Sequence, residues 1–475
     1  MDVTSENFGE LLPAIKQHIA DAAFIALDEE MTGIQDRAVR ISADDAPAER
    51  YKKMVPVASR YSIIQFGLSL FHSNANGEGF TAYTYNFYLF PNSGADLVMS
   101  ADAITFLRNN GMDFGKWMSS GVSFVDNKRL EWLQKRLVDS TGAKPAGDDG
   151  KGMVLTRESD LAFGKRNIDG LELFIGNDEL QEYIFEDTNS YLRRYLYDTV
   201  ERRYPTLTMR KNAEGKLCAC KLEAAAAAAH KEKVEAEAKK KFEAEAGFRL
   251  VFDALVEAKK PLVGHNLLFD LLFMLKWVYG PLPETFTELK DLLGELFPTI
   301  YDTKYLAASG VMGAPLTGMS TTLSDVYKQF EQALVVECAI TTAEGFPEYL
   351  NTESAASRQF HNAGYDAFCT GCVFAREAST LDRQQAATAG DAPVDWRKAT
   401  NKMLFMMRSL YHMSLNPGES DGPVKVTGLI YQVTGFAKET KTDDIHGVFT
   451  KAFECEVTAV EVMWVDNNAF FVVIA

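Results

Sequence analysis

The apolar run Ala22 to Leu27 ends abruptly in three acids, Asp28-Glu29-Glu30. A stretch of that length reads as a strand. Side chains alternate across a strand, so Asp28 and Glu30 project from one side of the pleat and Glu29 from the other. Two carboxylates so placed can share one metal ion, yet acids at a strand end also occur on any solvated edge, so the segment alone leaves both readings open. Tyr61 to Leu70 and Ala82 to Phe90 have strand composition with partial alternation and read as further strands of the same sheet. Gly33 to Lys53, polar and without period, is a long connection beside the acidic strand end.

The rest of the chain divides by composition. Residues 1–156 and 247–415 read as two parts of one α/β domain. Residues 157–246 are charged helical segments closing in Leu222 to Ala246, which is almost entirely Ala, Glu and Lys. Such a helix has high propensity and no large apolar face, which makes it a solvated spacer. The shift in character marks an insertion. Asn416-Pro-Gly-Glu-Ser-Asp-Gly-Pro signals a loop, and residues 416–475 then offer strand, helix, strand and strand candidates at Val424 to Thr434, Asp443 to Phe453, Ala459 to Trp464 and Ala469 to Ala475.

The chain has 475 residues, 47% hydrophobic and 24% charged, enough apolar material for two or three domains. No apolar run approaches the roughly 18 to 20 residues of a membrane span. The N-terminus lacks the basic start and apolar stretch of a signal peptide, so a soluble intracellular protein is expected. Six irregularly spaced cysteines do not read as a secreted disulfide framework. Cys369-Thr-Gly-Cys372, one CxxC without a second pair, is assigned neither metal nor disulfide. A formal net charge of -17 argues against coating nucleic acid through bulk electrostatics. It is compatible with a site whose carboxylates are locally reversed by divalent ions.

Two further segments carry acids where apolar residues would be cheaper. In Leu262-Val-Gly-His-Asn-Leu-Leu-Phe-Asp270, a strand-like stub turns into an apolar helix that Asp270 interrupts. A lone carboxylate there is costly to bury without a partner or a cation, and a salt bridge or a solvent-facing position would also satisfy it. In Phe360-His361-Asn-Ala-Gly-Tyr-Asp366, the histidine and the acid are about 140° apart if both lie in one helix. That spacing places His361 at the preceding loop or first turn and Asp366 on the helix. Four carboxylates on three separated segments repel one another unless hard divalent ions neutralise them, and Mg²⁺ or Mn²⁺ suits oxygen ligands. A pair of such ions supports phosphodiester hydrolysis, with His361 placed to take a proton from water.

At this point the pattern resembles the poly(A)-specific ribonuclease (PARN) family of DEDDh-type 3′-exoribonucleases. The matching residues are Asp28-x-Glu30, Gly264-His-Asn-x3-Asp270 and His361-x-Ala-Gly-Tyr-Asp366-Ala, supported by Gln65-Phe-Gly-Leu, Asn86-Phe-Tyr-x-Phe-Pro91, Phe297-Pro-x3-Asp302-Thr-Lys304 and Ala343-Glu-Gly-Phe-Pro. The resemblance covers nearly the whole chain. It implies an RNase H-like α/β nuclease core with a mixed sheet, a helical single-strand-binding insertion and a partial RNA-recognition-motif-like module that ends before its last helix and strand. It also implies removal of poly(A) tails from RNA with release of 5′-AMP, two Mg²⁺ (or Mn²⁺) ions held by Asp28, Glu30, Asp270 and Asp366, and His361 as base.

For substrate contacts the resemblance implies Ile34, Ile104, Phe106, Asn266, Lys304 and Leu323, although apolar residues at such positions are also ordinary core. Met31 replaces the aromatic residue usual in the family's first motif. Arg193-x3-Tyr197 replaces the insertion's Arg-x3-His signature, and Arg194, Arg202, Arg203, Arg210 and Lys211 lie among Tyr195, Tyr197 and Tyr204. Trp464 matches the position that stacks on an mRNA 5′ cap, although a tryptophan near a strand end is more often a packing residue. A homodimer in nucleus and cytoplasm, without membrane association, completes the expectation. A trimmer of small-RNA 3′ ends is the alternative enzyme. A catalytically idle RNA-binding scaffold is the alternative from another class.

Overall fold

Strands form where β-branched and aromatic residues concentrate. In chain order the computed structural model of the protein gives β1 to β4 at Asp2–Val3, Phe24–Met31, Ile63–Ser73 and Phe80–Tyr88, then β5 to β7 at Glu182–Ile184, Leu207–Lys211 and Leu217–Lys221. Next come β8 to β10 at Leu262–Gly264, Ile300–Asp302 and Ile340–Thr342, β11 and β12 at Met403–Leu404 and Met413–Ser414, and β13 to β15 at Leu429–Thr434, Val460–Asp466 and Ala469–Ile474. The structure describes all residues except 92, 93, 95, 142–152, 178, 205, 222, 223, 313–319, 333–337, 351–359, 388–394, 423–427, 438, 458, 459, 467 and 475. The start of the strand expected at Val424, and the residues Ala459 and Ala475, lie outside the described residues.

The chain forms two compact units, Met1–Lys128 with Ala244–Ala475, and Arg129–Glu243. In the first, a mixed sheet runs β1-β4-β3-β2-β8-β9, with β10 also on β4. The pairs β2/β3 and β3/β4 are antiparallel, while β2/β8 and β8/β9 are parallel. This is the mixed α/β sheet expected from the sequence.

Alternation divides β2 between two cores. Ile25, Leu27 and Met31 join the cluster with the helices Phe8–Asp21, Pro47–Arg60 and Arg249–Ala258. Phe24 and Ala26 join the other, with the helix Ala363–Ala387. Asp28 and Glu30 continue the second face by parity.

That long helix comes unusually close to the sheet. Gln65 accepts the Ala363 N–H through Oε1 at 2.9 Å, and Asn86 accepts the Gly364 N–H through Oδ1 at 3.2 Å. Two backbone N–H groups that a helix start leaves without partners are thereby satisfied by strand side chains. Gly67 makes the approach sterically feasible, since a Cβ there would lie 1.8 Å from the Ala363 carbonyl oxygen.

Later in the same unit, β13-β15-β14 form an antiparallel sheet beside the helix Thr442–Phe453. Ile445, Val460, Phe470, Val472 and Ile474 make its core. From the other face Met463, Phe471 and Val473 pack on Ala43 and Leu410, so the module is seated on the long connection after β2.

In the second unit β5-β7-β6 are antiparallel, and the helices Glu158–Ile175 and Ser190–Arg203 cover the face that carries Leu217 and Ala219. No helix among the described residues is long and apolar enough to cross a membrane.

Candidate active site

The end of β2 delivers Asp28 and Glu30, both half-buried, to the face of the long helix. Asp366 arrives from that helix's first turn and is buried, and Asp270 arrives, also buried, from the first turn of the helix Leu268–Met274 that follows β8. Asp270 is anchored to the acidic strand itself, since its Oδ1 accepts the Glu29 backbone N–H at 3.1 Å. Ligand atoms of Glu30, His361 and Asp366 all lie within 4.8 Å of one another. The three segments singled out in the sequence therefore converge.

His361 stands in the loop before the helix. Its φ of 68° is left-handed, a conformation that costs a non-glycine residue roughly 1–2 kcal/mol. The strain is held by its backbone N–H, which donates to Asp366 Oδ2 at 2.8 Å. The ring lies edge-on to Phe106, with centroids 4.5 Å apart.

Electrostatics show what the cluster suits. Burial first, then repulsion from Asp366, Asp270 and Glu30, holds Asp28 well above the usual carboxylate range. Glu30 is raised by burial and by Asp366 and Asp270. Burial pushes Asp270 and Asp366 up to about 7, opposed in each case by backbone N–H groups. Asp366 Oδ1 is buried without a hydrogen-bond partner. Oxygen-rich, acceptor-only and mutually repelling, the donor set fits hard divalent cations, which relieve the repulsion and take the free lone pairs.

Glu29 is buried on the opposite face with neither carboxylate oxygen partnered. Burial, with Asp270 adding to it, raises its pKa far above normal. Sequence reasoning saw that it points away, but not that it enters the core.

Asp302 is buried and accepts N–H groups of Asn266, Leu267, Lys304, Tyr305 and Phe405 at 2.9–3.4 Å. It ties the turn after β8, where Asn266 has a φ of 64°, to the helix Thr303–Ala308. Burial lowers the pKa of the neighbouring His265 to about 3, helped by Lys304. The ring is neutral, and because Nε2 faces the Thr321 carbonyl at 3.1 Å it carries the proton there.

Of the residues implied for substrate, Ile34 and Phe106 are exposed and Ile104 is half-buried. Ile34, Asn266 and Trp464 line one cavity of about 470 Å³, together with Phe269, Phe405 and Met407. Lys304 is buried, with its ammonium 3.2 Å from the Thr321 carbonyl and above the Phe405 ring. Leu323 opens the helix Leu323–Gln332 and packs half-buried against the second core. Trp464 donates its indole N–H to Thr442 Oγ1 at 3.0 Å and packs against Phe436 and Phe470.

Comparison with known proteins gives the family. Residues 3–374 match the family described as CAF1 family ribonuclease. The chain belongs to the CAF1 ribonuclease family. It is 30% identical to the poly(A)-specific ribonuclease PARN of Danio rerio, over 99% of this chain and 73% of that one. It is 27% identical to the pre-piRNA 3′-exonuclease trimmer of Bombyx mori, over 79% of this chain and 70% of that one. The Mg²⁺- and Mn²⁺-bound structure of S. pombe Pop2p aligns with a TM-score of 0.41 and 16% identity, covering 85% of this chain and 98% of that chain.

The residues that sequence reasoning missed are the supporting ones. Gln65, Gly67 and Asn86 stand in the family motifs, and their common work in docking the Asp366 helix is visible only in three dimensions. A glycine flanked by apolar strand residues was the available signal for close backbone approach.

Proposed function

We propose that this CAF1-family ribonuclease removes adenylate residues stepwise from RNA 3′ ends, with two divalent ions held by Asp28, Glu30, Asp270 and Asp366. The observation that carries this reading is four converging carboxylates with one buried oxygen unpartnered, in a chain related to poly(A)-specific ribonucleases over nearly its full length. Bound there, divalent ions supply Lewis-acid stabilisation of the scissile phosphate and acidify the attacking water.

The protein groups account for the rest. His361 accepts the proton that the water loses as its oxygen bonds to phosphorus and the 3′-oxygen departs. Burial lowers its pKa below the ordinary histidine value, so the ring is free to accept at neutral pH. The bond from its backbone to Asp366 and the edge of Phe106 fix where it stands. Exposed Ile34 and Phe106 supply apolar surface for a terminal base, and Asn266 supplies a polar edge. Trp464, on the same cavity as Ile34 and Asn266, is the residue on which 5′-cap binding would rest.

The relative that trims piRNA precursors supports a second reading in which 3′ ends are shortened without adenine preference. The two separate on 5′-labelled RNA carrying an oligoadenylate or an oligouridylate tail, with Mg²⁺ and wild-type or Asp28→Ala protein. The proposal expects stepwise loss of the adenylate tail alone, abolished by the substitution. Equal shortening of both tails establishes the trimmer, and folded wild-type protein that shortens neither overturns both.

A further inference from the structure

The second unit holds a group of ligand-type side chains remote in sequence from the carboxylate cluster. Strand alternation puts Cys218 and Cys220 of β7 on one face, opposite Leu217 and Ala219, which face the core. Register then brings their cross-strand neighbours alongside, Glu182 of β5 opposite Cys220 and Arg210 of β6 opposite Cys218. Ligand atoms of Glu182, Cys218 and Cys220 all lie within 4.8 Å of one another. Both cysteines are buried free thiols.

The Arg210 guanidinium shows what charge the group can hold. Its Nε donates to Cys220 Sγ at 2.9 Å and its Nη2 to Glu182 Oε2 at 3.2 Å. One positive charge is thus already bridged between a sulfur and a carboxylate, by a side chain that is 61% exposed. Cys218 Sγ donates instead to the Arg210 carbonyl at 3.4 Å. The β6–β7 hairpin beneath is well fixed, with Asn212 Oδ1 accepting the N–H groups of Glu214 and Lys216 and Gly215 in the left-handed conformation.

We propose that Cys218, Cys220 and Glu182 form a binding site for a thiophilic divalent ion of the zinc class, which enters by displacing the Arg210 guanidinium. Sulfurs around a tetrahedral zinc stand roughly 3.8 Å apart, given Zn–S bonds of about 2.3 Å. Sulfurs already within 4.8 Å of one another reach that separation by side-chain rotation. Each ion binds two thiolates and one carboxylate, so two protons leave to solvent from the thiols and water fills the fourth position. Cys369 and Cys372, the CxxC pair of the long helix, form no such three-residue group among the described residues.

The test is titration of the full chain with Cd²⁺ in excess Mg²⁺, which occupies the carboxylate cluster, while thiolate-to-metal charge transfer is read in the ultraviolet. The expected result is one tight site per chain that Zn²⁺ competes away, with two protons released per ion. Cys218→Ser and Cys220→Ser should each lose tight binding, whereas Cys369→Ser with Cys372→Ser should retain it. Arg210→Gln should bind more tightly than wild type, a gain that a misfolded variant would not show. A charge-transfer band that survives the double substitution Cys218→Ser and Cys220→Ser, or no tight uptake by wild type, overturns the assignment.

Discussion

Gly67 lies opposite Asp28 in the β2/β3 register, with the start of the long helix directly above it. A Cβ added there would sit 1.8 Å from the Ala363 carbonyl oxygen, 2.2 Å from its carbon and 2.7 Å from the Gly364 nitrogen. Carbon contacts under 3.0 Å are essentially never seen, and all three neighbours are backbone, so no flexible side chain can give way. The helix start must withdraw by about 1 Å or more, carrying Asp366 and the N–H bond to His361 with it. Displacing reacting groups by about 1 Å costs on the order of 100-fold in rate, which is about 2.7 kcal/mol of activation free energy. Overpacking of this kind costs about 1–3 kcal/mol of stability, a loss that a folded chain of this size tolerates. Gly67→Ala is therefore expected to leave a cooperative thermal melt with a modestly lower midpoint and to slow tail shortening about 100-fold. The assay is single-turnover shortening of 5′-labelled oligoadenylate-tailed RNA at saturating Mg²⁺, run beside the melt. Wild-type rates from the variant would refute the claim that helix position sets the site.

Two further outcomes follow from the buried acids. Asp270 and Asp366 have folded-state pKa values raised to about 7, so each binds its proton more tightly folded than unfolded. Their stabilising contribution is complete below the ordinary carboxylate range and is lost as pH rises through about 7. Without divalent ions the melting temperature should fall between about pH 4 and pH 7, and Mg²⁺ should blunt the fall, whereas identical profiles with and without Mg²⁺ would contradict the linkage. Glu29, raised by burial with both oxygens unpartnered, obeys the same sign, so Glu29→Gln should melt above wild type at pH 8 and close to it at pH 5. An unchanged difference across that range would mean that Glu29 finds a partner in solution.

What the sequence revealed depended on whether a rule is local. The shared side of Asp28 and Glu30 followed from strand parity alone, and the strand, helix, strand, strand order of the last sixty or so residues followed from local pattern, as β13, the helix Thr442–Phe453, β14 and β15 show. The convergence of Asp270 and Asp366 on that strand end was inferred from the cost of isolated acids and from family motifs. The attachment of Asp270 to the Glu29 N–H is a contact 241 residues apart that no local pattern encodes. In the sequence Asp302 stands only as part of a family motif. Its five backbone contacts come from three segments that only the folded chain assembles. Lys304 was implied for substrate, yet in this structure its ammonium is engaged by the Thr321 carbonyl and the Phe405 ring, partners that its own segment could not disclose.

The proposed role of the carboxylate cluster is to hold divalent cations. Calorimetric titration of the metal-free chain with Mn²⁺, on wild type and on Asp28→Asn and Asp366→Asn, tests it most directly. Two ions per wild-type chain are expected, with binding lost or reduced to one weak ion in each variant while the thermal melt stays cooperative. Undiminished binding by both variants, or no binding by folded wild-type protein, would contradict it.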